Sequence, residues 1–340
     1  MTEIRKRKLG RTGVEISELG LGTAPLGDLF VKVDEADSDA VITAAWDGGV
    51  RYFDTSPWYG RGLAEHRLGR VLFRKPPDSF VLSTKIGRVL RRRYSSGPMN
   101  DLWMGGLPFQ PVFDYSYDGV MRSFEDSLQR MGVASIDLLL IHDLDIWNHE
   151  PPERLDAYFQ QLIASGWKAL AELREAGIIK GIGAGLNSMA TIPRFLDLFE
   201  MDFFLLAMRY TMLEQDVLDT EFPRCAERDV GIVIGGGYNS GILATGAVPG
   251  AMYNYQPAPQ PILERVSKME AVCKRHGVPL AAAALQFPLG HPIVASIIPG
   301  AVTPKQVQQN LSAFEHRVPA ELWAELKHEK LIRSDAPTPK

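Results

Sequence analysis

Residues 136–142 read Ile136-Asp137-Leu138-Leu139-Leu140-Ile141-His142, four consecutive aliphatics that end on a histidine. A strand covered on both faces reads as such a run, whereas a strand with one wet face alternates. Phe203-Phe204-Leu205-Leu206 repeats the pattern. Apolar runs of strand length with turn residues around them recur at 16–22, 52–56, 80–85, 136–142, 178–186, 203–208, 231–235 and 294–299. Between them lie segments of helical period. Residues 35–46 carry Ala36, Ala40, Val41, Ala44 and Ala45, and 115–131 carry Val120, Phe124, Leu128 and Met131. Helices are also predicted at 154–173, 263–272 and 304–314, the last opened by Pro304.

Strand and helix alternate without a composition break or a Gly/Ser linker, so the chain reads as one domain over 1–340. Eight such units predict an α/β fold, a (β/α)8 TIM barrel. The rival is a doubly wound dinucleotide fold, which needs GxGxxG after its first strand. Here Gly20-Leu21-Gly22-Thr23-Ala24-Pro25 has proline where the third glycine belongs. Gly236…Gly241 is followed by Ile242 and not by the lysine of a phosphate loop. Both fingerprints fail.

Outside the barrel pattern, residues 8–16 predict a β-hairpin, with a Gly10 to Gly13 turn that plugs the bottom. Two long connections, 86–114 and 238–261, follow strands and project from the C-terminal face, where barrel sites are built. The tail after Leu331 is expected to be loose.

Apolar residues make up 45% and charged residues 23%, the mix of a globular protein. A net charge of -4 gives no basic field for a polyphosphate backbone, which excludes nucleic acid as the expected partner. Two cysteines, Cys225 and Cys273, make no disulfide framework, and no CxxC offers a metal site. With no secretory h-region and no apolar run of membrane length, a soluble cytoplasmic protein is expected, with no metal and no membrane partner.

Charged groups then fall on the strand ends. Asp54 ends the second strand with Tyr59 five residues on, Lys85 ends the third, and His142 ends the fourth. A free tyrosine titrates near 10 and is a poor acid or base at neutral pH. A lysine ammonium beside it lowers that value, and about two pH units corresponds to roughly 3 kcal/mol. A carboxylate keeps such a lysine charged, and a histidine opposite can donate to the oxygen that the phenol protonates. Each residue also has a plain reading: a helix cap for Asp54, a solvent charge for Lys85, a core histidine for His142, loop packing for Tyr59. Their joint placement on successive strand ends favours the chemical one.

The stretch Gly48-Gly49-Val50-Arg51-Tyr52-Phe53-Asp54-Thr55-Ser56-Pro57-Trp58-Tyr59-Gly60 resembles the first signature of the aldo-keto reductase superfamily. Ser83-Thr84-Lys85 and Ile141-His142-Asp143 are similar to its lysine and histidine motifs. Arg7 to Gly13, Ile298-Pro299-Gly300 and Asn310 extend the resemblance over roughly residues 5–330. It implies a catalytic tetrad Asp54, Tyr59, Lys85 and His142, and a nicotinamide cofactor lying extended across the barrel top. Implied cofactor contacts are Thr23, Asp54, Asn187, Tyr238, Ser240, Gly241, Pro299, Gly300, Gln306, Gln309 and Asn310. Tyr238 follows Gly235-Gly236-Gly237, and either its ring stacks on the nicotinamide or the glycines let backbone approach it. The phosphate-binding residues of NADP-using relatives correspond to Gly300, Ala301 and Gln306, so NAD is expected over NADP, with Lys305 as the competing charge.

Within the superfamily the chain resembles the D-threo-aldose 1-dehydrogenase and L-fucose dehydrogenase branch. The supporting stretches are Gly183 to Asn187, Arg209-Tyr210-Thr211, Tyr253-Asn254-Tyr255 and Ala284 to Leu289. The expected reaction is oxidation of a sugar hemiacetal at C1. The alternatives are oxidation of pyridoxal and a non-enzymatic cofactor-binding regulatory subunit. Trp58, Trp103 and Phe109 are the candidate substrate contacts. Arg88, Arg91, Arg92 and Arg93 read either as a clamp for an acidic group or as a solvated loop face.

Overall fold

The computed structural model describes residues 4–94, 99 and 102–340. A hairpin of β1 (Lys6–Lys8) and β2 (Glu15–Ser17) precedes the barrel strands. These are β3 (Leu21–Gly22), β4 (Tyr52–Asp54), β5 (Val81–Arg92), β7 (Leu138–His142), β8 (Gly181–Leu186), β9 (Phe203–Ala207), β10 (Gly231–Gly235) and a last strand, Val294–Ile298. Each pairs in parallel with the next in that order. The ring closes where Gly20 N–H donates to Ile297 O at 2.9 Å and Gly22 N–H to Pro299 O at 3.3 Å. The fold is the expected (β/α)8 barrel.

Period 2 divides each strand between two cores. Leu138, Leu140, Phe203, Leu205 and Val233 fill the barrel interior together with Leu9 and Ile16 of the hairpin. Leu139, Ile141, Phe204, Ile232 and Ile234 face the helices instead. A fully buried side chain of this kind contributes about 1.5–3 kcal/mol. The hairpin does plug the bottom: a Cβ at Gly10 would run into the backbone of Asp202 and Gly231, where two strands begin. Gly10 also has φ +47, so a side chain there would be strained as well as crowded.

Helices end where the chemistry says they should. In the helix Tyr117–Met131 the Ser116 side chain accepts from Gly119 N–H, and Gly132 closes the helix in the left-handed region. The helix after the last barrel strand, Pro304–Glu315, is capped by the Thr303 side chain with Pro304 at its start.

Several expectations are corrected. The run 16–22 is two strands, because the chain crosses from the hairpin to the barrel at Glu18 to Gly20. The helix over 154–173 is Pro152–Gln161 and Trp167–Glu175 joined by a π turn, Leu162–Gly166, whose glycine abuts the Tyr115 carbonyl. The third strand does not stop at Lys85. It continues to Arg92 and pairs antiparallel with β6 (Phe109–Asp114), so 86–114 is largely a two-stranded arm. Residues 95–98, 100 and 101 of that connection lie outside the described residues. The tail is packed: Leu331, Ile332 and Ala336 are buried, and Arg333 N–H donates to Gln215 Oε1 at 2.7 Å. No helix among the described residues is long and apolar enough to cross a membrane.

Candidate active site

The last inward residue of each barrel strand lies on the floor of the C-terminal face: Gly22, Asp54, Lys85, His142, Gly185, Ala207, Gly235 and Ile298. Three neighbouring positions are ionisable and the other five are small or apolar. Gly185 packs directly against Lys85 and His142: a Cβ there would sit 3.4 Å from Lys85 Cε and 3.6 Å from His142 Cδ2.

On the ionisable side, Lys85 Nζ lies 2.6 Å from Asp54 Oδ2 and donates to Thr55 O at 2.7 Å. Ser83 Oγ donates to the other Asp54 oxygen at 2.7 Å. Burial pushes the Asp54 carboxyl up, and Lys85 and Ser83 pull it back. The ammonium stands 4.7 Å from the centroid of the Tyr59 ring, and Tyr59 meets His142 edge to face at 5.8 Å. Burial, then Asp54 and Asp143, hold the Tyr59 phenol well above the usual tyrosine range, with Arg88 pulling the other way. The net direction is thus opposite to the expected lowering: Lys85, paired with Asp54 at 2.6 Å, does not offset burial.

His142 is held well below the ordinary histidine range by burial first, then by Arg88 and Lys85, so the ring is neutral. Ser56 Oγ accepts the N–H of Trp58 at 3.1 Å and lies 2.9 Å from His142 Nδ1. Behind the ring, Asp143 is paired with Arg88 at 2.7 Å.

Two cavities meet at Tyr59. The smaller, about 160 Å³, is walled by Trp58, Tyr59, Lys85, Trp103, His142, Asp143, Trp147, Asn148, Asn187 and Tyr255. The larger, about 540 Å³, runs over Gly235, Gly236 and Gly237 between Pro299-Gly300 and Ser240-Gly241. It shares Tyr238, Gly241, Gly300 and Gln306 with a third space of about 740 Å³ bordered by Lys305, Gln308, Gln309, Asn310 and His316. Together they form a two-lobed trough, with Tyr59 at one end and amide and cationic side chains bordering the other. A Cβ at Gly241 would meet no atom within 4 Å, so bare backbone borders the open space. A dinucleotide laid extended fits a trough of this shape and polarity.

The structure brings together the four tetrad candidates. Ser240, Gly241, Pro299, Gly300 and Gln306 line the inner lobe, and Gln309 and Asn310 the outer one. Tyr238 stands between the lobes, its hydroxyl donating to Asn310 Oδ1 at 3.0 Å. Asn187 lies on the smaller cavity, its amide donating to Asp143 Oδ1 at 3.1 Å. Two residues are not brought in. Thr23 is fully buried and turns its hydroxyl to Asp54 O at 2.9 Å, off both walls. Phe109 sits opposite Arg92 on the exposed end of the arm, away from both cavities. Trp58 and Trp103 do wall the substrate-sized cavity, with ring centroids 5.4 Å apart. Sequence reasoning gave no role to Asp143 or Tyr255, and left Arg88 between a clamp for an acidic group and a solvated loop face.

The aldo/keto reductase family model matches residues 18–329. The chain belongs to the aldo/keto reductase family. It is 45% identical to the pyridoxal 4-dehydrogenase of Microbacterium luteolum, over 96% of this chain and 98% of that one. It is 39% identical to the D-threo-aldose 1-dehydrogenase of a Pseudomonas species, over 96% and 97%. An aldo-keto reductase of Bacillus halodurans, solved in its holo form, superposes with a TM-score of 0.71 at 25% identity over 98% of both chains. This aldo/keto reductase is therefore an oxidoreductase of a family that works with NAD(P)H.

Proposed function

We propose that the protein oxidises the cyclic hemiacetal of an aldose at C1 to the lactone. The hydride leaves the carbon that carries the hydroxyl, and the hydroxyl proton goes to Tyr59. The observation that carries this reading is the position of Tyr59, on the wall of both the small cavity and the trough, with Lys85 and Asp54 behind it and His142 opposite. The nicotinamide dinucleotide, when bound, takes up the hydride. Ser240, Gly241, Pro299, Gly300 and Gln306 would hold its inner part, and Gln309 and Asn310 its adenosine end.

Every other part is performed by side chains. His142, neutral and with its hydrogen on Nε2, donates to the substrate oxygen and fixes its lone pairs. Lys85, ion-paired to Asp54 and 4.7 Å from the centroid of the Tyr59 ring, favours the negative charge that Tyr59 carries before it accepts the proton. Trp58 and Trp103, packed edge to face, exclude water from the reacting carbon. A cavity of about 160 Å³ suits a substrate of one-ring size.

A second reading, oxidation of pyridoxal, is favoured by the higher identity to the pyridoxal enzyme and by the three tryptophans around the cavity. Pyridoxal also presents a cyclic hemiacetal, so the same residues serve both. The test is reduction of NAD and of NADP with L-fucose, D-arabinose, L-galactose, L-xylose and pyridoxal, the lactone being identified by mass. Turnover of an aldose supports the first reading, and turnover of pyridoxal alone replaces it with the second. Tight cofactor binding with no turnover of any of them would overturn both and point to a regulatory subunit.

A further inference from the structure

Arg88 takes no part in the proton path, yet its charge is buried. Its guanidinium lies 4.9 Å from the Trp58 ring and 4.4 Å from that of Phe113. Its Nη1 is 2.7 Å from Asp143 Oδ2, and both side chains are 6% exposed. The other Asp143 oxygen stands 3.5 Å from His142 Nε2 and accepts the Asn187 amide. Asp143 adopts φ 55, uncommon outside glycine, and its N–H donates to Gly185 O at 2.8 Å. The carboxylate is thus fixed between a guanidinium and an imidazole.

A carboxylate this close to a buried imidazole, acting alone, favours the imidazolium. The groups that face the ring can be counted by element. β5 supplies Lys85 and Arg88, the turn after β4 supplies Tyr59 and Ser56, the residue after β7 is Asp143, and β8 supplies only Gly185. Lys85 is already matched by Asp54 at 2.6 Å. The charge of Asp143 is left for Arg88 to cancel.

We propose that Arg88 and Asp143 are a positioning pair for His142: Asp143 selects the Nε2–H tautomer, and Arg88 stops the same carboxylate from turning the ring into a cation. The consequence for catalysis rests on the role given to His142 above, but the pairing can be read without turnover.

The experiment is ¹⁵N–¹H correlation NMR of the full chain labelled at histidine, between pH 5.5 and 9, with the His142 signal assigned by its loss in His142→Gln. In the wild type the ring is expected to stay neutral with its hydrogen on Nε2 throughout. In Arg88→Gln its protonation midpoint is expected to rise by about 1–3 pH units and enter the window. Arg88→Lys should behave as the wild type, and Arg88→Gln combined with Asp143→Asn should return the ring to neutrality. A ring that stays neutral in Arg88→Gln, or that titrates alike in the single and double variants, overturns the pairing. Should Arg88→Gln fail to fold, Asp143→Asn decides, because an unchanged tautomer there removes the role of the carboxylate. A buried arginine that only packed between Trp58 and Phe113 would move none of these signals.

Discussion

The rim of the barrel has two unlike halves. From β4 to β7 the inward strand ends are Asp54, Lys85 and His142, all buried and bound to one another or to their neighbours. From β8 round to β3 they are Gly185, Ala207, Gly235, Ile298 and Gly22. The first half sets charge states, and the second clears space. A substitution in the first should therefore alter rate and pH dependence, and one in the second should alter affinity for whatever fills the trough.

The largest effect is expected at the point where the halves meet. Tyr59→Phe keeps the ring but removes the proton, so kcat should fall by at least about two orders of magnitude while cofactor affinity changes little. The wild-type pH profile tests the same group. A phenol raised above its usual range is mostly protonated at neutral pH, and its ionised fraction grows as pH rises. Oxidation should therefore accelerate steadily into the alkaline range, about tenfold per pH unit, without a plateau near neutrality. Near-normal turnover in Tyr59→Phe would move the proton chemistry elsewhere.

In the other half, Gly235→Val puts a side chain into the floor of the trough, where a Cβ already lies 3.1 Å from Leu205 Cδ2. Valine suits a strand, and overpacking costs about 1–3 kcal/mol. Cofactor dissociation constants, measured by quenching of tryptophan fluorescence, should rise by about twentyfold, with the shape of the pH profile unchanged. A change in that shape would show that the two halves are not separable.

The ionisable half was legible because chemistry was concentrated in a few residue types at strand ends. Asp54, Lys85 and His142 each close an apolar run, and the barrel puts such positions on one rim. Arg88 was not, because Arg88 to Arg93 looks like loop charge until the strand is known to run on to Arg92. The structure then buries Arg88 and leaves Arg91 and Arg92 exposed, which is what separates a site residue from a solvated face. Thr23 misled for the opposite reason: its hydroxyl is taken by Asp54 O, and sequence does not show which way a side chain turns. Phe109 misled because the register of the arm, which places it opposite Arg92, depends on pairing and not on composition.

The outer lobe of the trough bears on cofactor choice. Gln306, Gln308, Gln309 and Asn310 border it, and no arginine does among the described residues. A 2′-phosphate brings nearly two negative charges that need such a partner. Lys305 is exposed at the start of the helix and is the one lysine on this wall among the described residues. The kcat/KM for NAD should exceed that for NADP by about tenfold, about 1.4 kcal/mol. Initial rates with both at matched substrate concentration decide it. A preference for NADP that disappears in Lys305→Ala would assign the phosphate to that lysine.

The smallest effect is expected at the edge of the small cavity. Trp103 is 5% exposed, meets Trp58 edge to face, lies 5.9 Å from the Tyr59 ring, and bridges through its backbone to Leu29. It borders the small cavity and not the trough. Removing its ring should weaken substrate packing without touching the dinucleotide bed, and leave the proton path intact. In Trp103→Ala the KM for the best substrate should rise about fivefold, about 1 kcal/mol, with kcat reduced less and the cofactor dissociation constant unchanged. An unchanged KM for every active substrate would return Trp103 to loop packing. A matching loss of cofactor affinity would show instead that the bridge to Leu29, which lines both cavities, transmits the change across the boundary.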